Sequence, residues 1–321
     1  MAGQGQAPAR QAALKGGLPQ SAGAVTLSKM CGSGMRAAMF AHDMLLAGSH
    51  EVLVAGGMES MTNAPYLLPK ARGGYRIGHD RIFDHMMLDG LEDAYEPSRS
   101  MGTFGEDCAA KYQFTRAQQD AFATASVQRA QAATASGAFK TEIAPVTVKG
   151  RGGDTVISID EGPGKIKLDK IPMLKPAFKK DGTVTAASSS SINDGAAAMV
   201  LMRQSTAARL GCKPLARMVS HATHAQAPEW FSTAPIGATE KALAKAGWSV
   251  GDVDLWEINE AFAAQACAVN NEMGWDLSKV NVNGGAIAIG HPLGASGARI
   301  TLHLALELKR RGGGLGAAAL C

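Results

Sequence analysis

Cys31 sits in Ser28-Lys-Met-Cys-Gly-Ser-Gly, directly ahead of a run that reads as a helix. A thiol attacks only as its thiolate, and its unperturbed pKa is about 8.5. The Gly-Ser-Gly turn lets backbone amides approach the sulfur, and the helix start adds partial positive charge. That dipole is worth at most ~2 kcal/mol, or roughly 1.5 pKa units, which leaves the thiol only partly ionised at neutral pH. A basic partner is wanted, and His291 is the candidate. It lies in a Gly290-His-Pro turn, where the proline fixes the backbone and the glycine permits unusual dihedrals. Asn259 closes the strand-like run Asp254-Leu-Trp-Glu-Ile, at the kind of edge where α/β sheets carry functional side chains. Its amide either positions a water or donates a hydrogen bond, or it is an ordinary cap for the helix that follows. With Cys321 these residues, each on a glycine-rich or strand-end turn, form one reactive constellation. Taken singly, each has a bland reading: a packed thiol, a turn asparagine, a terminal cysteine. His42, His221 and His303 have no such setting and read as structural or surface groups.

The elements that must position these residues follow a repeated plan. Met35 to Gly48 is helical in pattern and leads into Glu51-Val-Leu-Val-Ala-Gly-Gly, a short buried-strand pattern. Ala298 to Arg311 is helical again and leads into Gly314-Leu-Gly-Ala-Ala-Ala-Leu-Cys, which is strand-like. This echo suggests two similar halves. Between them, from about residue 61 to 190, the texture changes. Ala71 to Asp80 is a loop rich in Gly and Arg, and a helix begins at Thr115, where Gln118 completes a capping-box pattern and Gly137 ends the run. Lys149 to Gly153 and Asp160 to Gly164 read as turns. Alternation returns in Thr183-Val-Thr-Ala-Ala, and Ile192 to Met202 follows as an apolar run. The second half opens near Lys213, with a strand over Val253 to Ile258 and a helix from Glu260 onward. Strands alternating with helices make an α/β protein.

Composition excludes several classes. The chain has 321 residues, 46% hydrophobic and 19% charged, enough to bury a large core in about two domains. No apolar run approaches a membrane span, and Gly3 to Gln11 lacks a signal peptide's apolar segment. Five cysteines without CxxC spacing predict reduced thiols in a reducing compartment, with neither a disulfide framework nor a metal site. The net charge of +4 is too small to argue for nucleic acid. From Lys140 to Lys180, however, nine Lys/Arg face five Asp/Glu, a surplus equal to that of the whole chain. Such a surface suits a polyphosphate-bearing ligand or is a solvated charged face.

The sequence resembles the thiolase family, the acetyl-CoA acetyltransferases and 3-ketoacyl-CoA thiolases, over essentially its whole length. Met30-Cys-Gly-Ser-Gly-Met is similar to the nucleophile motif, and Asn259-Glu-Ala-Phe-Ala-Ala to the Asn-Glu-Ala-Phe motif. Val282-Asn-Gly-Gly-Ala-Ile-Ala-Ile-Gly-His-Pro-Leu-Gly-Ala-Ser-Gly is similar to the histidine loop, and Leu174-Lys-Pro-Ala-Phe and Gly182-Thr-Val-Thr-Ala-Ala also match. The resemblance implies a layered αβαβα fold of two similar halves, residues 1–206 and 213–321, with a loop domain at about 61–190 inserted in the first half. It implies that Cys31 takes the acyl group as a thioester, while Cys321 moves the proton at the α-carbon of the second acyl-CoA. His291 then activates Cys31 and, with a water held by Asn259, stabilises an enolate oxygen. Ser190 matches a serine on the pantetheine arm, Met101, Phe178 and Phe262 match apolar pocket residues, and the basic loop would meet coenzyme A phosphates. Ser100 and Phe231 depart from family residues, a histidine and a methionine, and so bear on acyl-pocket size. The implied substrates are acetyl-CoA, acetoacetyl-CoA or another 3-ketoacyl-CoA, and coenzyme A. The resemblance also implies no separate cofactor, a homodimer or homotetramer, and a cytoplasmic place in fatty acid metabolism.

Other readings compete. A ketoacyl synthase shares the fold, but would carry histidine at Asn259 and has no need of Cys321. A papain-like hydrolase is disfavoured by the local pattern around Cys31. Relative to the family pattern, strands before Gly3 and a glycine loop after Cys321 are missing. The loop supplies an oxyanion donor whose loss typically costs ~10²–10³ in rate. A catalytically impaired fragment that still binds coenzyme A or partner subunits is therefore a further expectation.

Overall fold

The computed structural model describes residues 1–321. Helix α1 (Pro8–Lys15) comes first, and α2 (Ser33–Leu46) starts two residues after Cys31 and runs into β1 (Val52–Ser60). Then come α3 (Met101–Tyr112), α4 (Arg116–Ser136) and β2 (Asp194–Met202). The second half holds α5 (Ala234–Ala246), β3 (Leu255–Ile258), α6 (Ala263–Met273), α7 (Leu293–Arg310) and β4 (Gly316–Ala319). The echoed helix–strand units are thus α2–β1 and α7–β4. The second helix begins earlier than its apolar pattern, at Leu293, because Pro292 supplies the fixed φ of a helix entry. No helix is long and apolar enough to cross a membrane.

Strands β1 and β2 pair antiparallel, from Val52 opposite Met202 to Ser60 opposite Asp194. Residues 61–193 therefore leave and rejoin the same end of one strand pair. Strands β3 and β4 pair in parallel, Leu255 opposite Gly316 through Ile258 opposite Ala319. Helices α2 and α7 form a layer between the two pairs. Ala38 and Ala41 of α2 pack on Ala55 of β1, while Met35, Met39 and Ile300 pack on Ala318 and Leu320. Outside β3–β4 lies the largest core cluster, around Trp256 and Trp275, whose rings stand 4.3 Å apart, with Leu243 of α5 and Val269 of α6.

The excursion from β1 does not stand apart. Helix α3 packs Cys108 and Ala109 on Ala264 and Ala268 of α6, and α4 packs Ala123, Val127 and Ala130 on Ala263 and Ile287. The predicted capping box is present: the Thr115 hydroxyl accepts from the Gln118 amide, and Gly137 closes α4 with a φ of 76°. His303 of α7, buried, bonds Glu142 at 2.9 Å and faces Asn283, so it ties the excursion to the second half as a structural group.

One alternation misled. Thr183 to Ala187 forms no strand, because the Glu106 carboxylate accepts the amides of Thr183 and Val184 at 2.9–3.0 Å in place of a neighbouring strand. The Thr185 and Ser188 side chains then close a 3₁₀ turn over Ala186–Ser188. A period of two reports only that alternate side chains are buried, and a loop pinned by a carboxylate satisfies it equally well.

Candidate active site

Cys31 is presented by a strained turn. Met30, immediately before it, holds a φ of 46°, a left-handed conformation that costs a bulky residue about 1–3 kcal/mol. The Ser33 hydroxyl compensates by accepting the Lys29 amide at 2.8 Å and donating to the Met30 carbonyl at 2.7 Å. Cys31 then stands one residue before Gly32, the N-cap of α2, within reach of the helix's partial positive charge.

His291 arrives from the other side. Gly290, at a φ of 96°, has no room for a Cβ beside the Asn193 amide, and the His291 N–H donates to the Ser191 carbonyl at 3.2 Å. The Glu59 carboxylate of β1 accepts the Gly294 amide at 2.9 Å and so holds the start of α7 against that strand. The thiol of Cys31 faces Nε2 of His291 at 3.1 Å, and Nδ1 of His291 stands 2.6 Å from the Ser296 hydroxyl. That hydroxyl in turn donates to the Pro292 carbonyl at 3.1 Å. The chain of bonds selects one tautomer: Nδ1–H donates to Ser296, and Nε2 is left as the acceptor for the thiol proton.

Close approach of small residues makes the meeting possible. A Cβ on Gly34 of α2 would lie 2.7 Å from the Cβ of Ala298, and one on Gly297 would lie 2.6 Å from the Met35 amide. A Cβ on Gly57 of β1 would overlap the Gly294 carbonyl oxygen. These contacts set the separation of the two helix starts and hence of sulfur and imidazole. Gly57→Ala is expected to cost roughly 1–3 kcal/mol in a denaturant melt through overpacking. It is also expected to lower kcat by about 10²-fold, the effect of a 1 Å misplacement. Unchanged stability and turnover would show that sheet and helix part cheaply.

The strand ends bring the remaining groups. Asn259 follows β3 and donates its backbone N–H to Ala319 of β4 at 3.0 Å. Its side chain is fully buried, with Nδ2 3.5 Å from His291 Nε2 and Oδ1 without a hydrogen-bond partner. Cys321, two residues beyond β4, lies at the same edge and near enough to Cys31 for charge on one sulfur to oppose charge on the other. Cys31, His291 and Asn259 therefore meet at one place, with Cys321 close enough to Cys31 to couple to its charge. Glu260 is buried beside Asn259 and accepts from Ser126 at 2.6 Å, Asn281 at 2.8 Å and the Ile287 amide at 3.2 Å. It thereby knits α4, the strand end and the histidine loop into one block.

Burial dominates the electrostatics. It pushes the Cys31 thiol well above its usual range, with Cys321 and Glu59 adding like-charge opposition. Burial likewise raises Cys321 to about 11. His291 is lowered to about 4 by burial, with a smaller push from Arg299. The free site thus rests as a neutral thiol beside a neutral imidazole, and the expectation of a thiol partly ionised by the helix dipole gives way. Desolvation of the sulfur outweighs a dipole worth at most ~2 kcal/mol.

The apolar residues matched by resemblance gather on α3. The Phe178 ring covers Gly102 and meets Phe262 edge-on at 6.0 Å, while Phe262 also packs over Gly105. Met101, half-buried, opens that helix. Ser190 donates its amide to the Ala261 carbonyl at 3.0 Å, so its segment joins the Phe262 side to the His291 loop. Phe231 pairs instead with Phe104, 5.6 Å away. Ser100 acts as the N-cap of α3, its hydroxyl accepting the Gly102 amide at 3.2 Å. Sequence reading passed over Ser296, Glu59 and Glu260. Ser296 alone had a local signal, standing five residues after His291 in the first turn of a helix. The other two act across contacts that no spacing reveals.

A thiol held against an imidazole at two helix starts, on stacked α/β layers, defines a covalent acyl-transfer class of enzyme. The chain belongs to the thiolase family: residues 1–205 match the thiolase N-terminal domain and residues 212–321 the thiolase C-terminal domain. It is 52% identical over 321 residues to an acetyl-CoA acetyltransferase of Shinella zoogloeoides and 53% identical to one of Rhizobium meliloti. In both comparisons all of this chain and 81% of the relative are covered. The solved structure of an acetyl-CoA acetyltransferase from Syntrophomonas wolfei superposes with a TM-score of 0.95 at 43% identity, covering 100% of this chain and 82% of that one.

Proposed function

We propose that the protein joins two acetyl-CoA molecules into acetoacetyl-CoA and coenzyme A, or cleaves the product in reverse, through a thioester on Cys31. The observation that carries this reading is the 3.1 Å approach of Cys31 Sγ to His291 Nε2, with Asn259 and Cys321 at the same strand edge. In the first half-reaction the sulfur attacks the thioester carbonyl as its proton passes to Nε2. The coenzyme A sulfur departs and takes that proton, and the acetyl group stays on Cys31. In the second, Cys321 as thiolate removes a proton from the methyl carbon of another acetyl-CoA. The enolate attacks the Cys31 thioester, forming the carbon–carbon bond and releasing the Cys31 sulfur. A thiol raised to about 11 rests protonated, so cleavage uses Cys321 directly as the acid, and condensation starts from the other protonation state. The partnerless Oδ1 of Asn259 is an acceptor suited to a bound water, which His291 would share in stabilising the enolate oxygen.

No separate cofactor enters this scheme, since coenzyme A thioesters are the substrates. All nine Lys/Arg between 140 and 180 are exposed, and only Lys165 and Lys170 pair with carboxylates. This supports the segment as the contact for coenzyme A phosphates, with Ser190 along the pantetheine arm and Met101, Phe178, Phe231 and Phe262 shaping the acyl pocket. A cytoplasmic homodimer or homotetramer, of two halves at 1–206 and 213–321 with an insertion near 61–190, completes the reading. The impaired-fragment alternative is not favoured: His291 already lies within 3.5 Å of both Cys31 and Asn259, and the relatives that match all of this chain bear an enzyme's name. A ketoacyl synthase is disfavoured by Asn259 and Cys321 in the site. Incubation with acetyl-CoA alone should yield acetoacetyl-CoA, and coenzyme A with acetoacetyl-CoA should yield acetyl-CoA, both followed at the absorbance of the acetoacetyl enolate. Absence of turnover in both directions from folded protein would refute the proposal.

A further inference from the structure

His42 and Asp43, near the C-terminal end of α2, meet His221 from an irregular segment, 178 residues after Asp43 in sequence. Nδ1 of His42 lies 3.3 Å from Asp43 Oδ1, and Nε2 of His221 lies 2.8 Å from the same oxygen. One donor atom from each of the three falls within 4.8 Å of the others. The geometry points to a divalent-cation site of the zinc or cobalt type, formed by His42, Asp43 and His221 and separate from the catalytic centre.

The dimensions agree with the chemistry. Ligands about 2.0–2.1 Å from a tetrahedral ion stand roughly 3.3 Å from one another, so small rotations of the three side chains suffice. The two imidazole rings are edge-on, 5.2 Å between centroids at 89°, which brings their nitrogens to the carboxylate without stacking. Both histidine side chains are mostly buried, at 19% and 15% exposure, and so are held in place. The Asp43 carboxylate is 53% exposed, which leaves a path for the ion and an open fourth position for water. The carbonyl end of α2 adds partial negative charge where a cation would sit. Two imidazoles and one carboxylate are a borderline donor set that suits zinc or cobalt better than magnesium or calcium. The group lies roughly 16 Å along α2 from Cys31, counting 1.5 Å per residue. A bound ion would pin that helix to the 213–227 segment without touching the reacting sulfur.

The catalytic thiols are themselves metal ligands, so the test must tell the two places apart. Cobalt(II) does so, because thiolate ligation produces an intense near-ultraviolet charge-transfer band and imidazole–carboxylate ligation does not. Titrating the intact protein with cobalt chloride should give visible ligand-field bands without that charge-transfer feature, at one ion per chain. His221→Ala and His42→Ala should each weaken this binding by more than roughly 100-fold, beyond the loss of a group that merely supports a ligand. Their metal-free thiolysis rate should be unchanged, and their metal-free melting temperature should report intact folding. Should either alanine variant fail to fold, Asp43→Asn preserves shape and should lose the bands equally. Binding accompanied by the thiolate band alone, binding undiminished in the folded variants, or no ligand-field bands at all would each overturn the site.

Discussion

Replacing Cys31 with alanine is expected to abolish the covalent acetyl adduct and to lower turnover by roughly 10⁴–10⁶-fold, the range seen when a nucleophile that works as a unit with its base is removed. Mass spectrometry of the parent protein after incubation with acetyl-CoA should place one acetyl group on the peptide containing Cys31. No other cysteine has the same setting. Cys108 is buried beside the Ala264 carbonyl, Cys212 is exposed, and Cys267 packs against the same α3–α6 contact. Cys321 shares the site but has no imidazole against its sulfur. Acetyl label that survives Cys31→Ala would transfer the nucleophile's role to Cys321. The variant should fold, since the substitution leaves the Ser33 bonds that close the strained turn in place.

The second large effect concerns His291. His291→Ala should lower kcat/KM by roughly 10²–10⁴-fold, the usual worth of a positioned base. In the parent protein its pH profile should be more telling. The imidazole is competent only when neutral, and burial lowers its folded pKa to about 4. The rate of acetoacetyl-CoA cleavage, in which Cys321 acts as the protonated acid, should therefore stay level as pH falls through 6.5 and decline only near pH 4. An acid limb centred near 6.5 would mean a solvated imidazole and would refute the neutral thiol–imidazole pair. Stability has its own slope over this window. Between about pH 6.5 and 4 the unfolded chain protonates this histidine and the folded chain does not, so His291 withdraws stability as pH falls. Glu257, raised to about 7 by burial, acts with the opposite sign, because its folded form binds the proton first as pH falls. Melting curves mix these contributions with those of Glu260, Asp160 and His303, all raised, whereas initial rates on folded protein isolate the histidine.

Much of the site was legible because its chemistry is local to its turns. Cys31 before a helix start, His291 between glycine and proline, and Asn259 at a strand end each announce a backbone geometry through adjacent residues. The capping box at Thr115 and the glycine stop at Gly137 were readable for the same reason: a cap is satisfied within four residues. The alternation at Thr183 led to no strand because the Thr183 amide bonds Glu106, 77 residues earlier, and alternation carries no record of the partner.

The sequence by itself determined which groups could react, which turns would present them and that strands would alternate with helices, since side-chain chemistry, capping and periodicity are short-range properties. Only the tertiary structure decided their protonation states and mutual distances. Cys31 and His291 meet at 3.1 Å through packing at Gly34, Gly57 and Gly297, between segments 260 residues apart. That same packing removes water from both groups, and desolvation depends on everything that surrounds a side chain and on little that precedes or follows it. The meeting of His42 and Asp43 with His221 belongs to the same kind of fact: the first two are adjacent in sequence, and the fold alone brings His221 to them from 178 residues away.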